Sequence, residues 1–355
     1  MTHSDEITSF PSVTIGIPVL NEEAHIERVV SGFLSSEYPN LLEILIADGG
    51  STDKTREIVL ELASNDPRIK LIENPDKYQS FALNRMISLA EGEVFLRADG
   101  HCVYSSDYLE QCIDTLIKTG ARNVGGAQRY MAKNRVQAGV SLATRSFLGN
   151  GGAKYMLEDY EGYADTVFLG CFWTEDLKKL GGFNTENITN QDSEFNLRLV
   201  ENFGESVFIS PKIKSWYYPR DTFFKLFKQY FRYGRGRFLT RLLHPKTGPI
   251  RGLIPFIFIL LFSIYLALDL GLNVNLYSLE ITILLLIILV IESSVLTIKK
   301  SKLFKGEIWR GEAKTPGMIS NFITVFISLL LMQLGHFSGF LYQSIKNKIF
   351  NHSGW

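Results

Sequence analysis

VTIGIPVLNEE at residues 13–23 and EILIADGGSTD at residues 43–53 decide the fold. Each is an aliphatic, β-branched run that stops at a polar or glycine-bearing turn and passes into an amphipathic stretch, which reads as a buried strand feeding a helix. The pattern repeats along the first hundred residues. Strands are expected at 13–19, 43–47, 69–73 and 94–98, and helices at 22–34, 53–63 and 80–89. Such alternation gives an α/β domain whose mostly parallel sheet is flanked by helices. Ligands of these sheets sit beyond the carboxyl ends of the strands, where Asn21, Asp48 and Asp99 fall. From 107 to 218 the alternation blurs around Gly125-Gly126, 149–152 and Gly181-Gly182, as expected of an acceptor-facing part of the same domain.

The candidate chemistry lies at the junctions. Pro18-Val19-Leu20-Asn21-Glu22 follows the first strand and Asp48-Gly49-Gly50-Ser51 the second. Glycines let the backbone approach a ligand, Ser51 or Thr52 is placed to cap the next helix, and Asp48 offers a carboxylate that could read a base or ribose. Either junction alone also fits an ordinary turn. Arg97-Ala98-Asp99-Gly100-His101 ends the fourth strand with an acid and an imidazole two residues apart. In an extended chain these share a face, and together they suit Mn²⁺ or Mg²⁺ bound mainly through diphosphate oxygens; the bland alternative is an Asp that closes a turn. Asn190-Gln191-Asp192-Ser193-Glu194 opens a helical pattern, which puts Asp192 in a first turn. The helix dipole favours its ionised form, so it can accept a proton, although acids in first turns commonly just complement the dipole.

Composition sets limits. With 46% apolar and 12% aromatic residues in 355, the chain is no disordered polymer. Its net charge of zero hides an asymmetry: residues 1–215 hold 20 Lys/Arg against 31 Asp/Glu, leaving 17 against 6 for 216–355. The basic half carries long apolar runs, so its anionic partner is expected to be membrane lipid and not nucleic acid. Residues 222–243 mix aromatics with Lys225, Lys228, Arg232, Arg235, Arg237 and Arg241, the composition of an interfacial helix or, more plainly, of a solvated basic one. Three apolar runs, 253–272, 281–298 and 318–342, approach the roughly 20 residues that cross hydrocarbon. The connector between the second and third holds Lys299, Lys300, Lys302, Lys305, Arg310 and Lys314, which assigns it to the cytoplasm. Three crossings would put the C-terminus outside, against Lys346 and Lys348. Glu292 falls inside the second run, where an acid is a functional candidate or simply faces a neighbouring helix. The polar start, residues 1–12, lacks a signal-peptide core, so the first domain is expected in the cytoplasm. Cys102, Cys112 and Cys171 have no metal-site spacing and read as idle thiols. The expected division is a catalytic domain at 1–219, a basic interfacial segment at 220–250 and a membrane region at 251–345.

In their order and spacing, PVLNEE, ADGGSTD, RADGH and NQDSEF resemble the family 2 glycosyltransferases over about residues 13–240. The Asp-x-His variant and the apolar C-terminal runs are most similar to the succinoglycan-type bacterial glucosyltransferases. The resemblance implies a GT-A fold and an inverting transfer from a nucleoside-diphosphate sugar, UDP-linked by expectation, to a polyprenyl-linked or glycan acceptor. It implies that Pro18, Val19, Asn21, Glu22, Asp48 and Ser51, with Lys77, Ala82, Asn84 and Asp99, contact the nucleotide. Asp99 and His101 would hold Mn²⁺ or Mg²⁺, the second acid of the family's Asp-x-Asp being His here. Asp192 would be the base, with Gln191 where the family has an acid. Gly170 is implied near the acceptor, and Gln229 with Arg232, in a Gln-x-x-Arg-Tyr variant of a processive-synthase motif, near a diphosphate; Arg220 and Arg235 are further candidates. Two readings stand beside this: a polyprenyl-phosphate sugar synthase, and a catalytically silent membrane scaffold of the same fold. A dinucleotide-binding dehydrogenase is disfavoured because no Gly-x-Gly-x-x-Gly follows the first strand.

Overall fold

A computed structural model describes residues 10–248, 250–272, 277–299, 304–350 and 355. The chain forms two compact units, one of Met1–Arg129 with Leu157–Tyr217, the other of Tyr130–Met156 with Tyr218–Trp355.

The first unit is an α/β sandwich. Its strands are β1 (Val13–Val19), β2 (Leu41–Asp48), β3 (Ile69–Glu73), β4 (Val94–Arg97), β5 (Val103–Tyr104), β6 (Asn123–Gly126), β7 (Gln128–Tyr130), β8 (Gly162–Tyr163), β9 (Phe168–Trp173), β10 (Val207–Ile209) and β11 (Ser215–Tyr217). Eight of them make one sheet in the order β3-β2-β1-β4-β9-β6-β10-β8, and β5-β11-β7 form a small second sheet. β1 is parallel to β2 and β4, as the alternation predicts, whereas β9 runs antiparallel to both β4 and β6. That reversal explains the blurred pattern after residue 107: a return strand needs no crossover helix.

The helices are α1 (Ile26–Leu34), α2 (Thr55–Asn65), α3 (Gln79–Leu89), α4 (Tyr108–Thr119), α7 (Thr174–Lys179) and α8 (Gln191–Phe203). Ile26, Val29, Val30 and Phe33 of α1 and Tyr108, Leu109, Cys112, Ile113 and Leu116 of α4 join Val13, Ile15, Ile17 and Val19 of β1 in one core. Full burial of each such side chain contributes roughly 1.5–3 kcal/mol. The three cysteines are buried and unpaired, as read from their spacing. The fourth strand ends at Arg97, not at residue 98, and α1 starts at Ile26, not at residue 22.

The second unit holds α5 (Arg135–Ala143), α6 (Phe147–Asn150), α9 (Phe223–Leu243), α10 (Ile254–Leu272), α11 (Ser278–Lys299) and α12 (Met318–Phe350). A cluster of Ala138, Val140, Leu142 and Ala143 on α5, Leu226 on α9, Leu296 on α11 and Val325, Leu329 and Met332 on α12 is its core. Residues 130–156 therefore belong to the compact unit of the C-terminal helices, separated in sequence from it by 157–217. Among the described residues three helices are long and apolar enough to cross a membrane: Ile250–Leu272, Ser278–Lys299 and Met318–Phe350. Lys300 and Lys302 of the basic connector lie outside the described residues, as do residues 1–9 of the polar start.

Candidate active site

The exits of β1, β2 and β3 are stitched into one rim. Gly49 N donates to the Val19 carbonyl at 2.9 Å. Asn21, in the left-handed region at φ 57°, donates its N–H to Ser51 Oγ at 2.9 Å and accepts from Thr52 N at 2.8 Å. Glu22 N donates to Thr55 Oγ1 at 2.7 Å. Asp48 is 2% exposed and accepts from Ser51 N at 3.0 Å and Ser51 Oγ at 2.6 Å, with the Arg56 guanidinium 3.8 Å away. Ser51 thus braces Asp48 and does not cap α2; Asp53, accepting from Thr55 N at 3.0 Å, serves that end instead. Lys77, also left-handed at φ 65°, brings the third loop in: its carbonyl oxygen lies where a Cβ on Gly49 would come within 3.3 Å. Pro18 stands beside Ala47 at the same edge.

The Asp99 segment is not extended. Cys102 N donates to the Asp99 carbonyl at 3.3 Å, so residues 99–102 form a turn and the same-face argument for Asp99 and His101 gives way to turn geometry. The Tyr104 hydroxyl lies 2.7 Å from Asp99 N and 3.1 Å from its carbonyl oxygen, holding that backbone on both sides. His101 Nδ1 is 2.8 Å from Glu22 Oε1. Because a carboxylate only accepts, Nδ1 carries the proton, and in the neutral imidazole Nε2 keeps the lone pair, the arrangement in which a carboxylate orients a metal-binding imidazole. Among the described residues no group of three or more His, Cys, Asp or Glu gathers. Asp99 and His101 offer two protein donors, so a hard divalent ion held there would take the rest of its shell from phosphate and water.

Arg97 joins this segment to α8. Its side chain is 6% exposed, with Nη2 3.6 Å from Asp99 Oδ1 and Nη1 3.9 Å from Asp192 Oδ2. Burial opposes its charge, but Asp99 and Asp192 outweigh that and hold its pKa above the ordinary guanidinium value. A second link runs through amides: Gln191 Nε2 donates to Gln79 Oε1 at 2.8 Å, and Gln79 Nε2 donates to Asp99 Oδ1 at 3.2 Å. Of the two acids in the first turn of α8, Glu194 is 3% exposed and paired with Arg198 at 2.9 Å, whereas Asp192 is 35% exposed. Asp48 and Asp99 flank β1 at the carboxyl edge, and Asp192 reaches Asp99 through Arg97. Three acids distant in the sequence thus border one rim. The Cys102 thiol beside them is pushed up by burial and then by Asp99, which keeps it a neutral, inert group.

Other residues singled out by sequence have different surroundings. Ala82 is 1% exposed within α3. The Asn84 amide donates to Phe183 O at 2.8 Å and accepts from Phe183 N at 2.7 Å, a clamp on the 182–183 turn. Gly170 has φ 128°, and a Cβ there would lie 2.6 Å from the Phe172 ring and 2.8 Å from Asn123 Oδ1, inside the sheet. Gln229, Arg232 and Arg235 belong to α9 of the second unit, where Gln229 donates to the Tyr233 hydroxyl at 2.8 Å. Sequence reasoning passed over Arg97, Gln79 and Tyr104. Only Arg97 carried a signal, as a charge inside a strand expected to be buried on both faces.

The sequence profile of Glycosyl transferase family 2 matches residues 14–174. Succinoglycan biosynthesis protein ExoA of Rhizobium meliloti is 37% identical over 71% of this chain and 76% of its own length. A dolichyl N-acetyl-α-D-glucosaminyl phosphate 3-β-D-2,3-diacetamido-2,3-dideoxy-β-D-glucuronosyltransferase of Methanococcus voltae is 31% identical over 70% of this chain and 78% of its own. Among solved structures, the mannosyltransferase PcManGT of Pyrobaculum calidifontis, in complex with GDP-Man and Mn²⁺, shares the fold at TM-score 0.56 and 18% identity, covering 97% of this chain and 89% of that one. The profile spans β1 to β9, which build the rim, and the Rhizobium protein is similar well beyond it; the chain belongs to glycosyltransferase family 2 and is a transferase with the GT-A fold.

Proposed function

We propose that the first unit transfers a sugar, with inversion, from a nucleoside-diphosphate sugar to a hydroxyl of a lipid-linked or glycan acceptor. The observation that carries this reading is the Arg97 bridge, which sets Asp99 and Asp192 on two sides of one buried cation. Asp48, braced by Ser51, faces the nucleoside with Pro18, Val19, Asn21 and Glu22 around it, and Lys77 closes the edge. Asp99 and His101 would hold a divalent ion, Mn²⁺ or Mg²⁺, which would supply charge neutralisation for the departing diphosphate. Asp192 takes the proton of the acceptor hydroxyl as its oxygen meets the anomeric carbon from the face opposite the leaving group. Positioning supplies much of the rate, with the base adding roughly 10²- to 10⁴-fold.

The names of the relatives support a glycoconjugate acceptor: one acts in succinoglycan biosynthesis and another on a dolichyl-linked sugar. A solved TarS structure of S. aureus at TM-score 0.50 is in complex with UDP, consistent with a UDP-sugar donor. The proposed division is a catalytic region up to residue 219, a basic segment at 220–250 and a membrane region beyond, with the catalytic face in the cytoplasm.

A panel of nucleoside-diphosphate sugars, assayed by nucleoside diphosphate release with and without Mn²⁺, tests the reaction. Polyprenyl phosphate and a polyprenyl diphosphate-sugar offered in parallel separate hydroxyl transfer from polyprenyl-phosphate sugar synthesis. Asp192→Asn is expected to lower transfer at least 100-fold while nucleotide binding by calorimetry stays within threefold; undiminished transfer would remove Asp192 as the base.

A further inference from the structure

In the second unit, composition and packing disagree about α12. α10 and the first turns of α11 are exposed along their length, with Ile257, Phe258, Leu261, Ile264 and Leu268 on one and Leu279, Ile283, Leu284, Ile287 and Ile291 on the other. At the turn end of this hairpin Asp269 accepts from Ser278 N at 2.9 Å. α12 is as long and apolar, but one of its faces is covered by protein from end to end. Near its start a Cβ on Gly139 of α5 would lie 2.5 Å from Thr324 Cβ, and Gln333 Nε2 donates to the Leu148 carbonyl. Further along, Cβ atoms on Gly335 and Gly339 would meet the Phe227 and Phe231 carbonyls of α9 at 2.9 and 1.9 Å, and Arg235 Nε donates to Gln343 Oε1 at 2.8 Å. The partners rise together, 227 with 335, 231 with 339 and 235 with 343, so α9 and α12 run parallel and side by side.

α12 also meets the hairpin, through Phe256 of α10 on Phe337 and Phe340 and through Leu296 of α11, but α9 and α5 do not belong in hydrocarbon. α9 exposes Lys225, Lys228 and Arg232, and each charge carried into an acyl layer is costly. α5, with 9 residues, spans only about 14 Å and begins at a side-chain cap from Asn134. α12 itself buries Asn321, Thr324, Ser328 and Gln343 against this protein face. Its opposite side exposes Ile319, Ile323, Leu334, Ile345 and Ile349. An apolar stripe on one face of a helix about 50 Å long, longer than the roughly 30 Å of hydrocarbon, with protein on the other, is the geometry of a helix lying in the interface plane.

We infer that α12 rests along the membrane surface with this stripe against the lipid, that the α10–α11 hairpin alone enters the bilayer, and that the C-terminus returns to the side from which α9 feeds α10. Lys346 and Lys348 then lie on the same side as the basic residues of α9, which removes the conflict that three crossings create. The inference is independent of the chemistry at the Asp192 rim.

Impermeant maleimide labelling of the full-length protein in intact cells and in inverted vesicles tests it. The native thiols, Cys102, Cys112 and Cys171, are 0–1% exposed and leave a low background. Lys228→Cys, Ala313→Cys and Lys348→Cys place one thiol each on α9, before α12 and near its end, all at exposed positions. All three are expected to react from the same side. Reaction of Lys348→Cys from the side opposite Ala313→Cys overturns the proposal. Should a cysteine variant fail to reach the membrane, the unaltered chain decides with C-terminal reporters: bright green fluorescent protein with inactive alkaline phosphatase supports it, and the reverse pattern refutes it.

Discussion

Gln191 stands where the family pattern has an acid, and its hydrogen bonding gives the exchange a physical meaning. Asp99 only accepts, so the Gln79 amide must turn its NH₂ toward Asp99 and its oxygen toward residue 191, which must donate. Glutamate at 191 cannot donate. It would force the Gln79 amide over and set an oxygen against Asp99. Gln191→Glu is therefore expected to lower kcat tenfold or more, and further than the uncharged Gln191→Met, with the nucleoside diphosphate Kd and thermal midpoint measured alongside; equal kcat in the two variants would show that donor polarity at 191 is irrelevant. Glu43 is the structural counterpart. Only 1% exposed, it accepts from Thr14 Oγ1 at 2.7 Å, Glu91 N at 2.9 Å and Lys70 Nζ at 2.8 Å. Burial raises its pKa, but the bonds from Lys70, Glu91 and Thr14 outweigh burial and set it below the ordinary 4.5. A depressed carboxyl stabilises the fold above that value and loses the contribution as pH falls through its folded pKa. Glu43→Gln is expected to cost about 2 kcal/mol at pH 7 and less at pH 3, read from denaturation midpoints at the two pH values.

Strands β1 to β4 were legible because aliphatic runs ending at Val19, Asp48, Glu73 and Arg97 admit little else, and the place of Asp192 in the first turn of α8 was legible from the local trace of helical spacing that follows it. The Gln79 amide had no such trace: its role depends on Gln191, 112 positions away, and nothing near Gln79 announces it. The Asn84 clamp left no trace for the same reason, since its partner Phe183 is 99 positions off. The turn at 99–102, named in the sequence only as the alternative, prevails over the extended reading because the Tyr104 hydroxyl, five positions on, holds the Asp99 backbone. Among the helices, α9 was read correctly in extent within one residue, but its close approach to α12 was not legible, because Gly234, Gly335 and Gly339 act only when two helices meet. Their small size lets backbones approach in a way larger residues forbid. Gly339→Leu is expected to force α9 and α12 apart and cost roughly 1–3 kcal/mol or more. The check is the melting temperature in detergent together with trypsin cleavage at the α9 arginines, and an unshifted melt with unchanged cleavage would mean the helices tolerate separation.

Taken as one chain, the protein pairs an early segment with a late one. A fragment ending at residue 219 retains α5 but loses α12, and Ala138, Val140, Leu142 and Ala143, at 0–2% exposure, lose their cover. Uncovered apolar surface of this kind promotes association. The fragment is expected to need detergent for solubility and to bind a hydrophobic dye strongly, whereas a monodisperse, dye-silent fragment in plain buffer would show that α5 finds another partner. The same pairing bears on biosynthesis. Gly139 waits for Thr324, which leaves the ribosome 324 − 139 = 185 residues later. At about 5–20 residues per second the nascent α5 spends roughly 10–40 s without its mate. α10 and α11 emerge during that interval, so in the proposed topology insertion would come before closure of the second unit, and a cell short of targeting capacity would accumulate chains whose first-unit sheet is complete while α5 still lacks α12.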